Sequence, residues 1–404
     1  MRGAARLDLA VSGGVHRWMG VARVHVLLLV AAGWSCQGAE EAHRAEELAT
    51  GVYHHEVHLL QGPWSIHVLE IDLARAWPAG IRLQAVSPPD GALQRTSLLA
   101  SGALAAVNGD FFGGDRSRIT GVQVHQGVLL RPPRGRAAFA MTRDGTPLVA
   151  TLRLRAGLIT PGGAALPITA YSRPPDSTGL SLYGHHSRGL HDSVYAATGY
   201  QLQGLDGQRT PGDTVRAWVM QVRRRAWPLL LERGQWLVAA GERFPQADLV
   251  AAGDTVRLFV QLRPAEGDRE VSAPFDEVIG GGPRILRDGE VSVEYSRERL
   301  SPGFAMGRHP RTAVGHSERG EVVFLVTVDG RQPGYSVGMS LEELAEFMRG
   351  SLGELAVTRL GAHQALNLDG GGSTTMVVRQ QVVNRPSDQM GERPVVNALL
   401  VVRQ

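Results

Sequence analysis

Residues 366–376 read Leu-Asn-Leu-Asp-Gly-Gly-Gly-Ser-Thr-Thr-Met. An apolar run through Ala365, Leu366 and Leu368 ends in one carboxylate, Asp369. Three glycines and three hydroxyl side chains follow, and the apolar pair Val377 and Val378 resumes the run. This is the pattern of a strand, a sharp turn and a second strand. Glycine accepts positive φ, so successive backbone N–H groups can close around an anion. A carboxylate at a strand end, beside such a nest and several hydroxyls, suits a sugar or a phosphate. The same stretch also fits a tight hairpin with an Asp turn cap.

Several other Gly-rich points each abut a strand-like run. Val107-Asn108-Gly109-Asp110-Phe111-Phe112 follows an apolar stretch, and Val278-Ile279-Gly280-Gly281-Gly282-Pro283 is a second triple-glycine turn. Arg308-His309-Pro310-Arg311-Thr312 leads into a strand pair, Val328-Asp329-Gly330-Arg331 ends a strand, and Glu392-Arg393-Pro394-Val395-Val396-Asn397 closes the chain. Alternating residues from Val52 predict a hairpin, in which His54, Glu56 and His58 read as a solvated face rather than a metal site. Further hairpins are predicted over 122–130 and over 137–149, the latter turning at Asp144-Gly145. Ser340-Leu341-Glu342-Glu343 is a capping box, and Leu341, Leu344, Ala345 and Met348 recur at helical spacing, so one firm helix begins there. A second amphipathic stretch is expected over 354–362. The fold class is therefore α+β, with mixed, mostly antiparallel β-sheets and few helices.

Among the 404 residues are 50 Gly and 22 Pro, which favours short strands and turns over long helices. The 42 basic residues are all arginine. That excludes a Schiff-base lysine, a lysine general base and a P-loop lysine. Bound phosphate would have to be held by arginine, backbone N–H groups or a metal, and the planar guanidinium fork suits phosphate oxygens. A formal net charge of +3 gives no bulk drive toward nucleic acid. The single cysteine, Cys36, cannot form an intrachain disulfide. It follows a ten-residue apolar run, 24–33, preceded by Arg17 and Arg23: a signal-peptide pattern too short to span a bilayer comfortably. The small residue before Cys36 fits a lipoprotein cleavage site, although Trp34 departs from it. Export to the periplasm or cell envelope is expected, with membrane attachment through a lipid on Cys36. Residues 1–36 then form a leader, 37–51 a tether, 52–102 an N-terminal β-rich part and 103–404 the main domain.

These Gly-rich motifs, taken in order, resemble the phosphodiester glycosidase domain family over roughly 103–402, and most strongly from Val278 onward. The resemblance implies a hydrolase that cuts the glycosidic C–O bond of sugar-1-phosphodiesters, with a phosphodiester-linked glycan as substrate. Such cleavage passes through an oxocarbenium-like state. A phosphate leaving group is weakly basic, so the need for a general acid relaxes and charge stabilisation on phosphate takes its place. One carboxylate, one arginine and a Gly-rich nest would suffice. On this reading Asp369 is nucleophile, base or metal ligand, and Arg311 holds phosphate. Asp110 joins Asp369 and Arg311 as a catalytic residue, and with Asn108 it binds sugar hydroxyls or a cation. Ser373 and Thr374 contact sugar or phosphate, and Gly281, Gly282, Gly371 and Gly372 offer backbone donors. Asp329 and Arg331 bind substrate or act on it directly, or form an ion pair that braces the site, and Asn397 makes a supporting or sugar contact. Asp369, Asp110 and Asp329 are hard oxygen ligands that would suit Ca²⁺ or Mg²⁺. Two alternatives stay open: a non-catalytic glycan-binding envelope lipoprotein, and a metal-dependent phosphodiesterase.

Overall fold

Period-two burial runs through the strands: every second side chain of the segment Ile81–Val86 is buried. The computed structural model describes residues 42–89, 91–113, 119–185, 198–205, 214–224, 231–350 and 360–404, all within the unit Glu40–Gln404. The expected leader with Cys36 lies outside the described residues, as does most of the amphipathic stretch 354–362. Residues 42–49 of the expected tether instead form an edge strand, because their backbone pairs antiparallel with the next strand.

Three sheets build the molecule. An eight-stranded sheet runs in the spatial order β1 (Ala42–Ala49), β2 (Val52–Leu59), β3 (Trp64–Asp72), β21 (Val322–Val328), β20 (Arg311–His316), β22 (Gln364–Asn367), β18 (Arg284–Arg287) and β19 (Glu290–Val291). A five-stranded sheet has the order β24 (Gln381–Val382), β23 (Met376–Val378), β5 (Ala105–Asn108), β25 (Ala398–Arg403) and β4 (Ile81–Val86). A twelve-stranded sheet begins with β11 (Ala170–Tyr171), β12 (Leu180–Gly184), β15 (Gln235–Ala240), β13 (Thr198–Gly204), β14 (Thr214–Arg224) and β16 (Thr255–Pro264). It continues through β9 (Pro147–Ile159), β8 (Ala137–Thr142), β17 (Phe275–Gly280), β6 (Gln123–His125) and β7 (Val128–Arg131), with β10 (Ala165–Ile168) beside β9. Among the described residues only β11 and β12 pair in parallel. The described helices are α1 (Leu73–Ala76), α2 (Thr96–Leu99), α3 (Pro302–Met306) and α4 (Leu341–Arg349). The class is α+β and sheet-dominated, as the turn-rich composition predicted.

One face of the eight-stranded sheet packs Leu69, Val314, Leu325 and Leu366 against Leu83, Val107 and Leu399 of the five-stranded sheet and Phe139 of β8. Its other face is covered by Leu341, Leu344, Ala345 and Met348 of α4. Each such Leu contributes about 1.5–3 kcal/mol by leaving water. Both halves of the predicted capping box form: Glu343 N–H donates to Ser340 Oγ at 3.2 Å, and Ser340 N–H donates to Glu343 Oε2 at 2.8 Å. A separate cluster, including Leu158, Leu202, Val219 and Val256, fills the outer part of the largest sheet.

The histidine-bearing hairpin is less exposed than its alternation predicted. His54 Nε2 lies 3.1 Å from Nδ1 of the buried His67, with the rings stacked. Burial pushes the His67 imidazole down to about 4.

Strand direction gathers the Gly-rich turns. β20 runs antiparallel to both β21 and β22, so Arg311 faces Val328 and Ala313 faces Asn367. The first residues of β20 therefore meet the last residues of its two neighbours. In the five-stranded sheet Asn108, the end of β5, faces Ala398, the start of β25. Gly280, the end of β17, faces Ala138 near the start of β8.

Candidate active site

Asp369 emerges from β22 partly exposed, at the head of the Gly370–Gly372 turn. Gly370 N–H donates to its Oδ1 at 3.0 Å. Desolvation pushes the carboxyl up to about 6; the Ser373 hydroxyl, the Arg393 charge and the Gly370 N–H pull the other way. Gly371 takes φ +63 and donates its N–H to Pro310 O at 2.9 Å, which pins the turn to the start of β20. Ser373 and Thr374 are 0% and 1% exposed. Their hydroxyl oxygens have no hydrogen-bond partner among the described residues; Ser373 Oγ is near Asp369 without reaching bonding geometry. Buried hydroxyls are ordinarily satisfied, so these two unmatched ones mark a polar interior behind the turn.

Behind Asp369 the expected sugar contacts turn out to be internal braces. Asn108 is fully buried. Its Nδ2 donates to Asp369 O at 2.7 Å, and its Oδ1 accepts from Thr312 Oγ1 at 2.7 Å and Thr375 N–H at 3.0 Å. Three sheet ends are thereby tied to one amide, which leaves it unavailable to a sugar. Asn397 is equally buried and accepts Asp110 N–H on Oδ1 at 2.8 Å. Asp110 itself is 1% exposed, and its oxygens accept Phe111 N–H at 2.7 Å and Gly121 N–H at 2.6 Å. Desolvation, aided by the charge of Asp369, pushes its carboxyl up to about 7 against those N–H bonds and Arg136. Asp110 thus supports the loop and shapes the local potential from a position closed to solvent.

Arg311, expected to hold phosphate, is a tether. It is 1% exposed, Nε donates to Met339 O at 2.9 Å, and Nη2 donates to Phe304 O at 2.8 Å and Gly307 O at 2.7 Å. Its guanidinium lies 5.1 Å from the Phe304 ring centre, and burial lowers it to about 10. The expected Asp329–Arg331 ion pair does not form. Asp329 instead accepts from Asn384 Nδ2 at 2.9 Å, Arg385 N–H at 2.9 Å and Tyr335 OH at 3.0 Å, anchoring the 384–385 loop. Arg331, left-handed at φ 59, turns the other way, with Nη2 3.5 Å from His309 Nδ1. Its guanidinium lies over the glycine turn: a Cβ on Gly371 would stand 3.0 Å from Nη2. A non-glycine left-handed residue costs of order 1–3 kcal/mol and clusters at functional sites.

The cation that sequence reasoning passed over is Arg393, quoted in the closing motif but given no role. It is gripped in bidentate fashion by Asp388, Nε to Oδ2 at 2.7 Å and Nη2 to Oδ1 at 2.9 Å. That pair packs on Gly372, where any Cβ would collide with both side chains. Arg331 and Arg393 thus bracket the turn that Asp369 begins. The absence of lysine was the available signal, because it made every arginine within a Gly-rich motif a phosphate candidate.

The second triple-glycine turn is a packing device. Gly282 donates its N–H to Asn367 O at 2.8 Å, so it is not free for a ligand. A Cβ on Gly281 would stand 2.7 Å from Asn367 O, and one on Gly280 would stand 2.6 Å from Asp110 Oδ2. Asp110, Asp329 and Asp369 do not converge into the Ca²⁺ or Mg²⁺ site they could have formed. Each is held by different donors, and among the described residues no group of three or more His, Cys, Asp or Glu side chains gathers to hold a metal ion. No described helix is long and apolar enough to cross a membrane.

Against known proteins, the phosphodiester glycosidase family profile matches residues 219–402. The chain is 32% identical over 124 residues to the N-acetylglucosamine-1-phosphodiester alpha-N-acetylglucosaminidase of Bos taurus. That match takes in 28% of this chain and 21% of the relative, so it spans about a fifth of the relative's length. Two solved structures share the fold, each with a TM-score of 0.63 and 20% identity. A Burkholderia pseudomallei protein taken to be exported covers 91% of this chain and 97% of its own. A hypothetical protein from Synechocystis covers 90% of this chain and 64% of its own.

Proposed function

Because this chain belongs to the phosphodiester glycosidase family, we propose that it is an exported hydrolase that cleaves the glycosidic C–O bond of sugar-1-phosphodiesters in envelope or extracellular polysaccharide. The observation that carries this reading is the Gly370–Gly372 turn, where one accessible carboxylate meets two guanidiniums. Asp369 takes the sugar side, as nucleophile or base at the anomeric carbon. Its carboxyl, raised to about 6, is mostly ionised near neutrality. Arg331 and Arg393 take the phosphate. Their charges stabilise the departing phosphate, which needs little help from a general acid. Ser373 and Thr374, with unmatched hydroxyls, orient sugar or phosphate oxygens. Asn108, Asn397 and Asp110 hold these groups in register from behind.

The bond cleaved is the decisive issue. In oxygen-18 water, a glycosidase places the label in the released sugar, whereas a phosphodiesterase places it in the phosphate. Residues 42–404 incubated with N-acetylglucosamine-1-phosphodiesters are expected to yield labelled free sugar, and Asp369→Asn to yield none. Label in phosphate would refute the reading.

A further inference from the structure

A second feature of the surface is a cleft of about 940 Å³ with six arginines in its wall, Arg131, Arg134, Arg153, Arg173, Arg287 and Arg297. Three acidic side chains also line it, Glu266, Asp268 and Glu298, and two of these are already engaged. Asp268 Oδ1 lies 2.9 Å from both Arg284 Nη2 and Arg287 Nη1. Glu298 is buried and accepts Arg284 N–H at 2.8 Å and Ala137 N–H at 3.1 Å. Arg134, Arg153 and Arg173 are exposed and make no ion pair with a described carboxylate. Arg287 pairs with Asp268 and Glu294, and Arg297 with Glu294, so the uncompensated positive charge of the cleft is that of Arg134, Arg153 and Arg173.

This cleft reaches the Gly280–Gly282 packing turn, which itself lies against the carbonyl of Asn367 at the end of β22. Glu298, in its wall, touches Gly282: a Cβ there would stand 2.6 Å from Glu298 Oε2 and 3.5 Å from Arg136 Cδ. Arg136 immediately follows the cleft residues Arg134 and Gly135, and its guanidinium stacks 5.7 Å from the Phe111 ring beside Asp110. Basic side chains thus continue from the cleft to the loop that braces Asp369.

We propose that this cleft binds further phosphates of a polymeric substrate, a glycan whose repeats are joined by phosphodiesters, while one repeat occupies Asp369. The inference rests on the glycosidase reading and deepens it from single diesters to chains. Three exposed guanidiniums in one cleft can take more than one phosphate, since each can grip a phosphate bidentately. Nucleic acid is the competing polyanion. The cleft wall gives it little stacking surface: of the lining residues only Tyr171 is aromatic, and single-strand binding draws much of its affinity from stacking.

The test uses residues 42–404 carrying Asp369→Asn, so that ligand is not consumed. Equilibrium binding is measured for a short oligomer of N-acetylglucosamine joined by 1-phosphodiesters, for its methyl diester monomer and for single-stranded DNA of equal charge. Arg134→Gln/Arg153→Gln/Arg173→Gln is expected to weaken oligomer binding by about tenfold or more and to flatten its salt dependence, while monomer binding holds. The corresponding triple Lys variant should recover most of the affinity, since it restores the charge. Unchanged oligomer binding in the Gln variant, or oligomer and monomer bound alike by the parent, would overturn the proposal. DNA bound as tightly as the oligomer would overturn the glycan assignment. Turnover of the monomer by otherwise wild-type protein is followed separately: its absence would refute the glycosidase reading, and the binding comparison would still decide the cleft.

Discussion

Asp369 and Asp110 are both raised carboxyls, but they differ in what each can reach. Asp369 is partly exposed with a single backbone N–H on Oδ1, whereas Asp110 is closed off and bonded through both oxygens. A base or nucleophile must be ionised, so kcat/KM should rise with pH and level off above about 6, the value to which burial pushes Asp369. Asp369→Asn should lose ~10³-fold or more of this activity. The same group is linked to stability. Its folded-state value exceeds the ordinary carboxyl value of 3.8, so the folded protein holds the proton more tightly between about pH 4 and 6. The neutral form is favoured by burial, and its contribution is full below the unfolded value and lost as pH rises through the folded one. Asn mimics that neutral form. Urea unfolding at a series of pH values should therefore show Asp369→Asn gaining stability relative to wild type on going from pH 4 to pH 7. A pH-independent difference would mean that Asp369 is not desolvated as described.

Arg311 and Arg393 divide, at the level of elements, the work first assigned to one arginine. Arg311 ties the carbonyls that end α3 and precede α4 to the start of β20. Removing it leaves the Phe304 and Gly307 carbonyls without that donor, each costing about 1–3 kcal/mol when buried, while Met339 O keeps the His309 N–H. Arg311→Met is expected to destabilise the fold by roughly 3 kcal/mol or more, with faster hydrogen exchange over 301–309. Arg393→Gln, on a half-exposed side chain, should leave the unfolding midpoint near wild type while raising KM for diesters by ~10-fold, the cost of one charge-assisted contact to phosphate. The reverse pattern would return the phosphate to Arg311. Phe304 and Gly307 stand only seven and four residues from Arg311, but whether the chain folds back to present their carbonyls, and Met339 28 residues on, is set by the fold. What could be read locally was read: the Ser340–Glu343 capping box, the Asp144-Gly145 hairpin and the strand-turn-strand at Asp369 depend on residues a few positions apart. The brace from Asn108 to the Asp369 carbonyl joins residues 261 apart, and its amide looks identical to a ligand contact until the partner is known. Gly372 was legible as a turn, but its second reason, room for the Asp388–Arg393 pair, was not.

In the molecule as a whole, the site is assembled from distant parts of the chain, and this limits how it can be divided. β21 has two neighbours, and one of them, β3, comes from residues 64–72. β25, near the end of the chain, lies between β4 and β5. The N-terminal third thus supplies one partner of β21, an interior strand of the eight-stranded sheet, and both partners of β25, an interior strand of the five-stranded one. It also supplies Asn108, whose amide holds Asp369. A fragment beginning at residue 219, where the family match starts, would expose an unpaired edge on β21 and two on β25. It would also lose the packing partners Leu69, Leu83 and Val107 from the main core. Such edges invite aggregation, and losing three buried aliphatic side chains, at about 1.5–3 kcal/mol each, is comparable to the 5–15 kcal/mol by which domains are typically stable. Residues 219–404 expressed alone should therefore show no cooperative thermal unfolding and rapid proteolysis, whereas 42–404 should unfold in a sharp transition. Adding residues 42–218 as a separate chain, which returns the partners of β16, β17, β21 and β25, should restore protection. A stable, cooperative 219–404 fragment would show instead that the two central strands do not need the partners they have here.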